Sequence, residues 1–227
     1  MNIYIIRHGE TAANVERRVQ GWLDVPLNEN GIDLALKTGR AIKDIKFDAV
    51  FSSPLIRSYQ TAECILKENA NPVPKIITDG RLKEMYFGDW EGQLKNVGSV
   101  ANGTFLLDPS KTPIMPNGES FVNLFARTQA FLNDLIASTA SVNVPDAFAN
   151  TSTNNLANLD NTSAFNLSSC ENILVSTHGC SLRAMLNMLY ENKDNFWQDA
   201  IPPNCSISLV KADNGTASLV YSDKVFY

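Results

Sequence analysis

The chain has 227 residues, 44% of them apolar, and a formal net charge of −5. That length suits one large α/β domain or two small ones with a substantial core. An acidic balance with no Lys/Arg block argues against a nucleic-acid binder, and no stretch approaches the roughly 20 apolar residues that would span a bilayer.

The first element is a run from Ile3 to Ile6, rich in β-branched residues, which predicts a central strand buried on both faces. It stops at Arg7-His8-Gly9. Far downstream, Ile173-Leu174-Val175-Ser176-Thr177-His178-Gly179 repeats the pattern. The chain has only two histidines, and each sits where an apolar strand meets a glycine. A buried strand that ends in reactive side chains is how an open α/β sheet presents a site at its carboxyl edge. His8 and His178 are therefore expected to meet in one pocket.

Between these strands the pattern alternates. A polar loop runs from Arg7 to Leu27, and Asn28 then reads as an N-cap opening a helix over 29–44. Ala49-Val50-Phe51 predicts a strand, Pro54 a helix start, and Leu55 to Asn69 an amphipathic helix. Val73 to Thr78 suits an edge strand. Residues 93–117 read as loop, and Phe121 to Ile136 as a strong helix preceded by Gly118-Glu119-Ser120.

The stretch 138–170 is about half Asn, Ser or Thr and has no Lys, Arg or Glu, so it reads as a low-complexity insertion. A strand at 172–177, a helix from Gly179 to about Glu191, and two last strands joined at Asp213-Asn214-Gly215 complete the chain. Alternating strands and helices predict one α/β domain over 1–227 with a mainly parallel sheet.

Four cysteines without a CxxC pair read as free thiols of a reducing compartment. The apolar start is too short for a signal peptide and runs straight into Arg7. A cytoplasmic location is the expectation, and a homodimer is compatible with the sequence.

The polar residues at the predicted strand ends are Arg7 and His8, Ser52-Ser53 with Arg57 beyond, Glu84 in its loop, and His178. Two histidines, two arginines and a carboxylate suit phosphoryl transfer. Neutral imidazole is a competent nucleophile toward phosphorus, and a phosphohistidine divides one hard step into two. The guanidinium fork matches phosphate oxygens. A carboxylic acid beside the ester oxygen protonates the leaving alkoxide and then deprotonates water. The scheme calls for no metal and no cofactor, and no metal-ligand spacing is visible in the sequence. Against it stand plainer readings: Arg57 as a helix cap, Glu84 as one solvated carboxylate among Glu10, Asp89 and Glu91, and Asn14 and Gln20 as turn residues.

Arg7-His8-Gly9-Glu10-Thr11-Ala12-Ala13-Asn14 resembles the Arg-His-Gly-Glu-Thr/Ser-x-x-Asn motif of the histidine phosphatase superfamily, on its phosphoglycerate-mutase-like branch. The likeness continues in order through Gln20 to Leu27, Ser52 to Ala62, Leu82-Lys83-Glu84, Phe87 to Gly92, Pro116 to Ser120, and Val175 to Gly179. The resemblance implies a three-layer α/β/α sandwich. It implies His8 as the phosphorylated nucleophile, Arg7, Arg57 and His178 as ligands of the phosphoryl group, and Glu84 as proton donor. Asn14, Gln20, Gly21 and Gly179 would complete the pocket around a small phosphorylated substrate.

Within that family the Phe-Gly-x-Trp-Glu-Gly stretch at 87–92 is similar to phosphatase members. The mutases carry Glu-Arg-His-Tyr-Gly, where this chain has Glu84-Met85-Tyr86-Phe87-Gly88. Their paired arginines are absent, although Lys95 stands at the mutase spacing from Glu84. A phosphatase is the expectation, with a cofactor-dependent phosphoglycerate mutase and a non-catalytic phospho-ligand binder as alternatives.

Overall fold

The computed structural model describes residues 1–94, 115–140 and 166–227. The loop reading of 93–117 and the insertion at 138–170 therefore lie largely outside the described residues, as does Lys95.

Six strands form one sheet in the order β3-β2-β4-β1-β5-β6. They are β1 (Asn2–Arg7), β2 (Ala49–Ser52), β3 (Ile76–Thr78), β4 (Asn172–Thr177), β5 (Ile207–Asp213) and β6 (Thr216–Lys224). The block β3-β2-β4-β1 is parallel, and β5 and β6 are added antiparallel. The last two strands form the expected hairpin, with Asn214 at φ 48° and Gly215 at φ 74°, the left-handed pair a two-residue turn requires.

The helices are α1 (Ala12–Val15), α2 (Glu29–Ala41), α3 (Ile56–Lys67), α4 (Phe121–Ala137) and α5 (Gly179–Leu186). Asn28 caps α2 as expected, its side chain accepting from the Gly31 N–H at 2.7 Å. Two predictions differ from what forms. The polar loop after β1 contains the short helix α1, because Thr11 and Asn14 build a reciprocal capping box. The helix after His178 stops at Leu186 and tightens into a 3-10 turn, Asn187–Leu189, instead of running to Glu191.

Alternation along each strand divides the core between two faces. Ile3, Ile5, Phe51 and Val175 pack with Phe131 and Leu132 of α4 and Leu182 and Met185 of α5. Ile6, Val50 and Leu174 pack with Ala35 of α2 and Ala62 and Ile65 of α3. Each fully buried Ile or Leu contributes about 1.5–3 kcal/mol from removal of apolar surface from water. The product is a three-layer α/β/α sandwich around a mostly parallel sheet. Among the described residues no helix is long and apolar enough to cross a membrane.

Register does the positioning. Strands β1 and β4 run parallel with Arg7 opposite Thr177. The next residue on each is histidine, so both imidazoles leave the same edge of the sheet side by side.

Candidate active site

The His8 and His178 rings lie with centroids 5.1 Å apart, tilted by 57°. His8 Nδ1 is 2.7 Å from the Gly9 carbonyl, which only accepts, so in the neutral ring the proton sits on Nδ1 and the lone pair on Nε2. One cavity at the carboxyl edge of the sheet is lined by Arg7, His8, Asn14, Gln20, Gly21, Arg57, Glu84 and Gly179. His178 is fully buried and stands against His8 behind the lining.

Arg57, 0% exposed, sits in the first turn of α3 and reaches back under the cavity. It donates from Nη1 to the Leu23 carbonyl at 2.8 Å and from Nη2 to the Gly21 carbonyl at 2.7 Å. It neither caps its helix nor pairs on the surface. Burial pulls its pKa down to about 10, countered by Glu84, Asp24 and Glu91, so it stays cationic at neutral pH. Arg7 donates from Nη1 to the Pro202 carbonyl. Its pKa is also lowered by burial, with Glu84 opposing.

His178 is pushed well below its ordinary value by burial first and by Arg57, His8, Arg127 and Arg7 next, so the ring is neutral. Its Nε2 lies 2.8 Å from Ser53 Oγ. Among the described residues Arg7 Nε, Arg57 Nε and His178 Nδ1 are buried without a hydrogen-bond partner. Unpaired buried polar groups are costly, and the two guanidinium Nε–H donors of residues that line the cavity fit an anion as their missing acceptor.

Glu84 is held at the N-terminus of α5. Oε1 accepts from the Ser181 N–H at 3.1 Å and the Met85 N–H at 2.9 Å, and Oε2 accepts from the Cys180 N–H at 3.2 Å. A Cβ on Gly179 would stand 3.8 Å from both Arg7 Nε and Glu84 Oε2, so the backbone there lies directly beside the two functional groups. Asn14 and Gln20 both line the cavity, and both are fixed through Thr11. Asn14 Oδ1 accepts from the Thr11 N–H at 3.1 Å, and Gln20 Oε1 from the Thr11 hydroxyl at 2.9 Å.

Above this polar floor the wall changes character. Val19, Phe87, Trp197 and Ile201 line it, with Arg18 at the rim. Arg18 is already engaged, by Glu16 at 2.6 Å and the Gly92 carbonyl at 2.8 Å.

A model of the histidine phosphatase superfamily (branch 1) matches residues 3–144. The chain belongs to this superfamily. It is 41% identical over 134 residues to the fructose-2,6-bisphosphatase TIGAR of Xenopus tropicalis, a match covering 58% of this chain and 48% of that protein. It thus spans about half the length of that relative. It is 37% identical over 140 residues to the probable phosphoglycerate mutase GpmB of Proteus mirabilis, over 60% of this chain and 64% of that one. A 2,3-bisphosphoglycerate-dependent phosphoglycerate mutase of Methanococcus vannielii is 26% identical over 98% of this chain and 96% of its own. Among solved structures, Bacillus stearothermophilus YhfR superposes with a TM-score of 0.76 at 26% identity, covering 99% of this chain and 97% of that one.

In this member of the superfamily several supporting residues are not legible in the sequence. Arg127 of α4 forms a bidentate pair with Glu119, at 2.7 and 2.8 Å, and donates to the carbonyls of Arg81, Lys83 and Glu84 at 2.6–3.0 Å. It braces the loop that carries Glu84, and nothing in the sequence signals it, because the carbonyls of 81, 83 and 84 meet it only once α4 is docked. Trp197 and Ile201 gave no signal in the sequence, and only the folded chain brings them to one wall with Phe87. No group of three or more His, Cys, Asp or Glu suited to a metal ion occurs among the described residues.

Proposed function

We propose that this chain is a phosphomonoesterase that works through a phosphohistidine on His8. The observation that carries the reading is the fixed His8 tautomer, in a cavity that it shares with the buried Arg57 and the half-buried Arg7 and next to a neutral His178.

In the first step His8 Nε2 attacks phosphorus while the ester P–O bond breaks. The Glu84 carboxyl gives its proton to the leaving alkoxide. Arg7 and Arg57 meet the charge on the equatorial oxygens. With the Ser53 hydroxyl donating to His178 Nε2, the His178 proton sits on Nδ1 and becomes a further donor to those oxygens. Asn14 and Gln20, whose amide oxygens are taken by Thr11, offer their NH2 ends. In the second step the Glu84 carboxylate takes a proton from water, the hydroxide oxygen bonds to phosphorus, and the P–N bond breaks. Inorganic phosphate leaves and His8 is restored. No step needs a metal ion or cofactor.

The apolar wall of Val19, Phe87, Trp197 and Ile201 favours hydrolysis of a small phosphomonoester over retention of a second anionic group. The rival reading, a bisphosphoglycerate-dependent mutase, is favoured by the nearly full-length likeness to the Methanococcus vannielii protein. Turnover of 4-nitrophenyl phosphate, persisting in chelator and lost in His8→Ala, supports the phosphatase. Unimpaired turnover in His8→Ala refutes it. Fast interconversion of 2- and 3-phosphoglycerate without phosphate release establishes the mutase instead.

A further inference from the structure

Arg183 lies on α5, is 0% exposed, and takes no part in the chemistry described above. Its Nη2 donates both to Asp223 Oδ2 at 2.6 Å and to the Ala200 carbonyl at 2.7 Å, and its Nη1 donates to the Tyr190 hydroxyl at 2.9 Å. A buried ion pair is poor evidence of stabilisation by itself, since desolvation offsets most of the attraction. Its partners suggest another use.

Ala200 belongs to the segment that supplies Trp197 and Ile201 to the apolar wall. Two residues on, the Pro202 carbonyl accepts from Arg7 Nη1. The segment is therefore gripped at both ends of Ile201: by Arg7 on the phosphoryl side and by Arg183 on the other. It is also strained. Gln198 and Asp199, neither a glycine, sit at φ 49° and 68°. Consecutive left-handed residues persist only where the surroundings dictate them. Asp223, at φ 56° on β6, is strained as well while it presents its carboxylate to Arg183.

We propose that Arg183 and Asp223 are positioning residues that set the alcohol side of the substrate pocket by holding the Trp197–Pro202 segment against Arg7. The proposal rests on the phosphatase reading for its kinetic consequence alone. Loss of the tether loosens the wall and leaves the phosphoryl floor intact.

Two measurements test it. In Asp223→Ala, KM for 4-nitrophenyl phosphate rises about tenfold, with kcat within about twofold of wild type and the inhibition constant for inorganic phosphate unchanged. Asp223→Asn, which keeps an acceptor for Nη2, retains most of the wild-type KM. Independently of turnover, acrylamide quenching of Trp197 is read in a Trp22→Phe/Trp90→Phe background, where Trp197, 8% exposed, is the remaining tryptophan. Adding Asp223→Ala increases that quenching several-fold. Unchanged KM and quenching overturn the proposal, and so does a parallel loss of KM, kcat and phosphate affinity, which marks general collapse. If the wild-type chain hydrolyses no phosphomonoester, the phosphatase reading fails, and the tether stands or falls on quenching alone.

Discussion

The Glu91 carboxylate occupies the space that a side chain on Gly21 would need. Gly21 has φ 55°, its carbonyl accepts from Arg57 Nη2 at 2.7 Å, and Glu91 Oε1 accepts from the N–H groups of Trp22 at 2.8 Å and Phe87 at 3.1 Å. One carboxylate thus ties the loop under Arg57 to the loop that carries Phe87.

Gly21→Ala should break this arrangement twice, through an unfavourable left-handed backbone and through displacement of Glu91. The combined penalty is about 1–3 kcal/mol of stability. A larger consequence is expected in kcat/KM, because the carbonyl that orients Arg57 moves. Urea denaturation and steady-state kinetics on the same preparation check both, and a variant with wild-type kcat/KM contradicts the assignment.

Ser53 has no reacting atom to touch, yet its hydroxyl is the partner of His178 Nε2. Ser53→Ala leaves that nitrogen unpaired in a buried site and frees the ring to change tautomer. A cost of about 1–3 kcal/mol is expected, appearing as a 10- to 100-fold loss of kcat with the fold preserved. Nitrogen-15 shifts of the imidazole report the tautomer directly.

Arg127→Lys removes a planar fork that a lysine ammonium does not reproduce. Because Arg127 braces the Glu84 loop, the damage should depend on the leaving group. Alkyl phosphates, whose alkoxide needs a proton, are expected to lose about tenfold or more in kcat, and 4-nitrophenyl phosphate much less. Equal losses on both substrates would show that Arg127 acts elsewhere.

His178 gives the fold a pH dependence of known sign. The folded ring stays neutral well below its ordinary value of 6.5, whereas in the unfolded chain it gains a proton below that pH. The unfolded state then binds more protons, so this contribution is complete above pH 6.5 and is lost progressively as pH falls toward the folded value. The slope is at most about 1.4 kcal/mol per pH unit. Urea midpoints measured between pH 7 and pH 5 should fall in the wild type and fall less in His178→Gln.

The thiols follow the same physics. Burial pushes Cys205 up to about 12, so it is expected to resist thiol reagents in the native protein, and half-buried Cys64 to react before it. Mass mapping of the first labelled site decides this.

Strands were legible where burial on both faces fills consecutive positions with apolar side chains, as in Ile3 to Ile6, Ala49 to Phe51 and Ile173 to Val175. That made β1, β2 and β4 readable with near-correct limits. Helices α2 and α4 were readable because one apolar face repeats at helical spacing and Asn28 and Ser120 mark their starts. Helix α1 was hidden, being only four residues long and specified by a capping box instead of an apolar face. The end of α5 was misplaced because all its residues are buried, so no periodicity shows where it stops.

For the site, the sequence alone determined the ingredients: two strand-end histidines, the arginines and Glu84, in an order that matches a known family. It also determined that they gather at one sheet edge, because parallel strands release their last residues together. Only the tertiary structure decided how those groups are held. The Ser53–His178 bond, the Arg127 brace on Glu84 and the Arg183–Asp223 tether join residues from 40 to 125 positions apart. Contacts of that kind depend on the docking of packed layers, and no local spacing encodes them.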